Sequence, residues 1–327
     1  MSKPLVLVTR QIPDVGLDRL NEECHVILWE HDSVAPRDWV LEHIREAAGV
    51  VSLLTDVLDA TVIASAPFLK VVSTMAVGFD NIDIEECSTR RIPVGHTPGV
   101  LTETTADFAF ALLITVARKI VEGARYVKDG HWKTWSPTLL LGQDLHGATL
   151  GIVGYGRIGQ AVARRAKGFG MRILACRSSA QAPTHGEDDD DVELVDLPTV
   201  LAESDFVSLH VPYTQATHHL IGKCELERMK GSAILVNTSR GAVIDSNALA
   251  AALSAGDIAA AALDVTDPEP IPLDHALFHE PQCLIVPHMA SASIATRERM
   301  AVMAVENLLA GLQGTRVPFV VNPEVYR

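Results

Sequence analysis

An apolar run that breaks into three spaced glycines and resumes as a helix constrains this chain more than any other stretch. Leu150-Gly151-Ile152-Val153 has the character of a buried strand. Gly154-Tyr155-Gly156-Arg157-Ile158-Gly159 follows, and Gln160-Ala161-Val162-Ala163-Arg164-Arg165-Ala166 has helical composition. Strand, glycine turn and helix in that order form a receptor for a dinucleotide. Gly154 can take the turn conformation, Gly156 lets the backbone approach a pyrophosphate, and Gly159 lets helix and strand pack closely. The N–H groups of Arg157 and Ile158, at the start of the helix, then face the anion.

The next strand bears on which dinucleotide. Met171-Arg172-Ile173-Leu174-Ala175-Cys176 runs into Arg177-Ser178-Ser179, where an NAD site usually places an acid on the ribose hydroxyls. An acid repels a ribose 2′-phosphate, whereas a guanidinium and two hydroxyls bind it. One charge-assisted hydrogen bond is worth about 1.5–3 kcal/mol, or about tenfold or more in affinity, so the residues favour NADPH over NADH. The acidic run Glu187-Asp188-Asp189-Asp190-Asp191 has the composition of a solvated loop tip.

Short apolar strands alternate with helical stretches along the whole chain. Strands are expected at Leu5 to Thr9, His25 to Trp29, Gly49 to Leu54, Leu69 to Thr74 and Ile92 to Gly95, with no phosphate-type glycine loop among them. A long helix, about Thr102 to Asp129, separates them from a second series near residues 151, 171, 206, 233, 259 and 284. Strands separated by helices give parallel sheets with right-handed crossovers. The expected architecture is therefore α/β, with two doubly wound parallel-sheet domains. A Rossmann cofactor domain (99–289) is inserted in a flavodoxin-like substrate domain (1–98 plus 290–327), to which the last helix, Ala292 to Leu312, returns.

Composition limits the partners. A formal charge of −14 over 327 residues, with no Lys/Arg cluster, argues against nucleic acid and anionic membranes. Five scattered cysteines without a Cys-x-x-Cys pair read as reduced thiols of a cytoplasmic protein, with no metal-ligand cluster. The N-terminus carries no signal-peptide pattern, and the longest apolar run, near Phe108 to Ala117, is too short to span a bilayer.

Three polar residues follow three strands of the nucleotide domain: Arg240 in Asn237-Thr238-Ser239-Arg240-Gly241, Glu269 in Asp267-Pro268-Glu269-Pro270, and His288 in Val286-Pro287-His288. Ligands bind at the carboxyl ends of such strands, so the three can converge. A guanidinium can clamp a carboxylate and polarise a keto oxygen. An imidazole can give or take a hydroxyl proton, and a carboxylate can hold that imidazole in its charged form. Taken singly, each has an ordinary structural explanation as a cap, a surface acid or a strand-end histidine.

These motifs, in this order and over nearly the whole chain, resemble the D-isomer-specific 2-hydroxyacid dehydrogenase family. The resemblance implies Arg240 as binder of the substrate carboxylate, His288 as proton donor and acceptor, and Glu269 as its partner. It implies that the backbone N–H groups of Val77 and Gly78 also bind the carboxylate, and that Ser291 lies beside the substrate. Further cofactor contacts implied are Thr105, Pro212, Thr217, Thr238 and Asp264, the last on the nicotinamide amide. Trp132 and Trp135 fall in the segment that forms the dimer arm of the family, and Trp135 matches a tryptophan that reaches the partner's substrate pocket. A homodimer follows from the same likeness. Within the family the likeness implies NADPH-dependent reduction of small 2-oxo acids, glyoxylate to glycolate and hydroxypyruvate to D-glycerate. Enzymes acting on 2-ketogluconate, aromatic pyruvates or phosphoglycerate stay open, as does a nucleotide-sensing corepressor on the same fold. Leu53, Leu54, Phe79 and Trp135 are the expected determinants of pocket size.

Overall fold

The computed structural model describes residues 3–177 and 191–327. Ser178 and Ser179 of the expected phosphate group, and 187–190 of the acidic run, lie outside the described residues. The chain divides into two compact units, Met1–Leu101 with Ala292–Arg327, and Thr102–Ser291.

The first unit carries β1 (Leu5–Val8), α1 (Asp14–Glu23), β2 (His25–Leu28), α2 (Arg37–His43), β3 (Gly49–Ser52), α3 (Ala60–Ala64), β4 (Val71–Thr74), α4 (Ile84–Thr89) and β5 (Val94–Gly95). Its five strands are all parallel in the order β2-β1-β3-β4-β5, the flavodoxin-like winding. Alternate strand residues supply the two faces. Leu7, Val50, Val72 and Val94 pack with Val40, Ile44, Val62, Ile63 and Cys87 from α2, α3 and α4.

The second unit begins with α5 (Thr102–Ala117) and α6 (Ile120–Lys128). It continues through β6 (Thr149–Val153), α7 (Arg157–Gly168), β7 (Arg172–Cys176), β8 (Val192–Leu194), α8 (Leu197–Glu203), β9 (Phe206–Leu209), α9 (Lys223–Leu226), β10 (Ile234–Asn237), α10 (Ser246–Ala255), β11 (Ala260–Leu263) and β12 (Cys283–Ile285). The seven strands, again all parallel, run β12-β11-β10-β9-β6-β7-β8, a doubly wound sheet whose strand order reverses between β6 and β9. Leu150, Ile152, Ile173 and Val236 face a core shared with α5 and α7. Val153, Leu174, Val207 and Leu235 face the other core, shared with α8 and α10. The fold is thus α/β with two parallel sheets.

The final helix, α11 (Ile294–Leu312), belongs to the first unit and covers the second face of its sheet. Ser73 donates its hydroxyl to the Ala304 carbonyl, and a Cβ on Gly311 would strike Val71. Ser293 caps this helix by accepting from the Thr296 N–H.

Two local readings differ from the sequence expectation. The long helix is broken: Lys119 sits at φ +51°, and the Ala117 carbonyl accepts from the Gln143 N–H at 2.8 Å. A segment remote in sequence takes the carbonyl that would have continued the helix. The sheet also gains β8, a three-residue edge strand too short to show an alternating pattern. Among the described residues, no helix is long and apolar enough to cross a membrane.

Candidate active site

The strand–turn–helix at residues 149–168 has the shape its glycines imply. Gly154 lies at φ +99°, and a Cβ there would come within 2.7 Å of the His210 backbone, which belongs to β9's extension across the switch point. A Cβ on Gly159 would strike the Gly154 carbonyl, whereas the space over Gly156 is open. Gly156 precedes α7 without any side-chain cap, so the first N–H groups of that helix, those of Arg157 and Ile158 included, are left for an anion. Nearby, the buried Thr238 hydroxyl has no hydrogen-bond partner. An open glycine cradle, an uncapped helix start and an orphan hydroxyl at neighbouring strand ends fit a dinucleotide.

Arg177 leaves β7 beside this loop, since Cys176 is the register partner of Val153. Its guanidinium lies 5.5 Å from the centroid of the Tyr155 ring, a cation–π distance that keeps it over the glycine turn. Thr217 is turned inward, donating to the Pro212 carbonyl at 2.7 Å and accepting from the Thr214 N–H at 2.8 Å, while Pro212 is exposed. Thr105 is buried within α5. His210 was not singled out in the sequence. Its Nε2 meets Ser208 Oγ at 2.9 Å, its Nδ1 is buried without a partner, and burial lowers its pKa to about 4.

The three chemical residues leave adjacent strands at one level, because Asn237, Leu263 and Ile285 are register partners across β10, β11 and β12. Asn237 shapes the first loop. Its amide donates to the Arg240 carbonyl at 2.9 Å, and its oxygen accepts from the Ser239 N–H and hydroxyl. Gly241 then packs on the Thr266 carbonyl so closely that no Cβ fits, which ties the Arg240 loop to the Glu269 loop. The Arg240 guanidinium donates to the Ser239 carbonyl at 2.9 Å and lies close enough to Glu269 to act on its charge.

His288 Nδ1 and Glu269 Oε1 are 2.6 Å apart, with side chains 22% and 34% exposed. A carboxylate accepts only, so Nδ1 carries the hydrogen and Nε2 is the ring nitrogen that Glu269 does not engage. Burial works to raise the Glu269 carboxyl. The His288 hydrogen bond and charge, the Thr266 N–H and Arg240 outweigh it, and the group titrates below its ordinary value. His288 itself lies at φ +49°, a left-handed conformation that costs a non-glycine residue about 1–3 kcal/mol.

Asp264 holds that conformation in place. Its carbonyl accepts from the His288 N–H at 2.8 Å, and its carboxylate oxygens accept from the Met289 and Ala290 N–H groups at 2.6 and 2.9 Å. Burial pushes this carboxyl above the usual range despite the two amides. One acceptor site on each oxygen is thereby committed, and lone pairs remain for a further donor. The sequence marked Asp264 only as a cofactor contact; its work on the His288 loop runs through backbone groups that carry no residue signature.

In the first unit, Val77 and Gly78 follow β4, where the chain bends after Thr74. Neither of their N–H groups donates a hydrogen bond among the described residues. Ser291 is half-buried. Trp132 and Trp135 are 59% and 78% exposed, beside α6, none of whose residues is buried.

Comparison with known proteins gives this arrangement a family. The family description "D-isomer specific 2-hydroxyacid dehydrogenase, NAD binding domain" matches residues 110–290. A glyoxylate reductase of Korarchaeum cryptofilum is 52% identical over 99% of this chain and 98% of its own. Among solved structures, a Thermus thermophilus protein superposes with a TM-score of 0.90 at 48% identity, covering 97% of this chain and 99% of the other. An NADPH-dependent glyoxylate/hydroxypyruvate reductase of Sinorhizobium meliloti, solved with NADP and malonate, gives 0.84 at 30% identity, covering 99% and 98%. The chain belongs to the D-isomer-specific 2-hydroxyacid dehydrogenase family, as its glycine loop and its Arg240, Glu269 and His288 imply. It is an enzyme of the NAD(P)-dependent kind.

Proposed function

We propose that this protein is an NADPH-preferring reductase of small 2-oxo acids, taking glyoxylate to glycolate and hydroxypyruvate to D-glycerate. The observation that carries the reading is the 2.6 Å contact of His288 with Glu269 one strand away from Arg240, in a loop Asp264 clamps. The names of the Korarchaeum and Sinorhizobium relatives point to the same substrates.

The bound dihydronicotinamide supplies the hydride. Every other part falls to the chain. The Arg240 guanidinium binds the substrate carboxylate and polarises the oxo group, and the Val77 and Gly78 N–H groups are the carboxylate donors of the first unit. His288 delivers the Nε2 proton to the oxo oxygen, and Glu269, kept ionised, stabilises the imidazolium and fixes its orientation through Nδ1. In the reverse direction Nε2 receives the hydroxyl proton. Gly154, Gly156, Arg157, Ile158 and Gly159 would hold the nucleotide, together with Thr105, Pro212, Thr217 and Thr238, and Asp264 would offer its remaining lone pairs to the nicotinamide amide. Arg177 takes the 2′-phosphate, with Ser178 and Ser179 assigned to the same group from sequence.

A second copy of the chain covers the exposed face of Ile120, Val121, Val127, Trp132, Trp135 and Leu141, which makes the protein a homodimer. Trp135 then reaches the partner's substrate site, and Ser291 flanks the substrate. The five unpaired thiols suit the cytoplasm.

Initial rates with glyoxylate and hydroxypyruvate, each with NADPH and NADH, test the proposal. NADPH is expected to exceed NADH by about tenfold or more in kcat/KM. Equal rates with NADH remove the phosphate-binding role of Arg177, and no turnover with either cofactor overturns the reductase reading.

A further inference from the structure

The two N–H groups of Val77 and Gly78, neither of which donates among the described residues, are aimed by two residues outside the loop. A trans peptide is planar, and its C=O and N–H point in opposite directions. Whatever holds the carbonyl of one residue therefore sets the direction of the next residue's N–H. The Ala76 carbonyl accepts from the Thr97 N–H at 2.8 Å, which fixes the peptide carrying the Val77 N–H. The Val77 carbonyl lies 2.9 Å from His96 Nδ1, which fixes the peptide carrying the Gly78 N–H. A carbonyl only accepts, so His96 Nδ1 is the protonated, donating nitrogen.

His96 is itself held firmly. Its N–H donates to the Phe319 carbonyl at 3.0 Å, and its carbonyl accepts from Asn307 Nδ2 at 2.8 Å. Asn307 is fully buried on α11 and also accepts from the Phe319 N–H. The His96 and Phe79 rings meet in a T-shaped contact at a centroid distance of 5.7 Å and an interplanar angle of 79°. A ring anchored through its backbone and packed against Phe79 holds its Nδ1–H along the direction of the Val77 carbonyl.

We propose that His96 is a positioning residue for substrate: by binding the Val77 carbonyl it orients the Gly78 N–H toward the 2-oxo acid carboxylate. This rests on the reading of Val77 and Gly78 as carboxylate donors. Without the bond the Val77–Gly78 peptide can rotate, and one of the two donors is no longer preorganised. The requirement is for an N–H at the reach of Nδ1. Asparagine places its amide nitrogen at the same number of bonds from the backbone, so it can substitute where leucine cannot.

The test compares wild type with H96L, H96N and H96A in three readouts: KM and kcat for glyoxylate, the dissociation constant of oxalate for the enzyme–NADPH complex, and that of NADPH alone. H96L and H96A are expected to raise KM and the oxalate constant about tenfold, the effect of one lost hydrogen bond to a charged ligand. They should leave kcat within about threefold and NADPH affinity unchanged, and H96N should return substrate affinity to within about threefold of wild type. A purely structural role moves NADPH binding or kcat as well, and H96N does not rescue it. Wild-type substrate affinity in H96L and H96A, or an H96N as poor as they are, overturns the assignment. A wild type that neither reduces any 2-oxo acid nor binds oxalate overturns the underlying reading of the loop, a result distinct from active variants with unchanged affinity.

Discussion

The backbone of His288 hangs on Asp264: the His288 N–H meets the Asp264 carbonyl at 2.8 Å, and the Asp264 carboxylate takes the next two amides. A buried acid at the end of β11 thereby stabilises a left-handed histidine at the end of β12. Removing the acceptors should release the loop. D264A loses two charge-assisted bonds of about 1.5–3 kcal/mol each, whereas D264N keeps one acceptor oxygen. Melting temperature and kcat are both expected to fall in the order wild type, D264N, D264A. A D264A enzyme melting with the wild type contradicts the clamp.

Glu269 makes stability depend on acid in a defined direction. Its carboxyl titrates lower in the folded protein than in the unfolded chain, where glutamate titrates near ~4.3. Its contribution is therefore present in full above that value and is lost as pH falls through the lowered one. E269Q is expected to melt below wild type at pH 7, with the gap closing on the acid side of ~4.3. A gap that is the same at both ends contradicts a charged role for the carboxylate.

His210 acts in the same direction over a higher window, because burial favours its neutral form in the folded protein. Burial takes its folded pKa from 6.5 to about 4, so between those values the unfolded chain binds a proton that the folded one does not. Stability falls as pH drops from 6.5 toward 4. H210Q, which cannot titrate, should flatten the melting-temperature profile across that window. An unchanged slope there means that another group carries the acid lability.

Arg177, stacked over Tyr155, is the described residue to which the proposed NADPH preference assigns the 2′-phosphate. R177A is expected to lose about tenfold in affinity for 2′,5′-ADP while binding 5′-AMP as before, since only the former carries the 2′-phosphate. Equal losses for both ligands place the guanidinium on another part of the nucleotide.

Much of this was legible beforehand because it is local. Continuous apolar runs at Val6–Val8 or Ile234–Val236 announce buried parallel strands, and the spacing of Gly154, Gly156 and Gly159 reports a turn whose sterics the structure reproduces. Arg240, Glu269 and His288 could be grouped because each follows a strand of one sheet. What escaped depends on backbone groups meeting across long separations. The helix break at Lys119 depends on Gln143, the clamp on His288 depends on Asp264, and the orientation of Gly78 depends on His96. Hydrogen bonds to main-chain atoms leave no trace in residue type at the accepting end. Asn237 leaves more of a trace, since an Asn whose side chain takes the N–H two residues on is a recognisable Asx pattern.

The central claim is that His288 Nε2 moves the proton in a reductase held together by Glu269 and Asp264. Its most direct test is H288N, measured for kcat with glyoxylate and for the dissociation constant of NADPH on the same preparation. The account predicts a kcat lower by about 10²- to 10⁴-fold with NADPH binding intact. Turnover near that of wild type, with NADPH bound equally well, would contradict it.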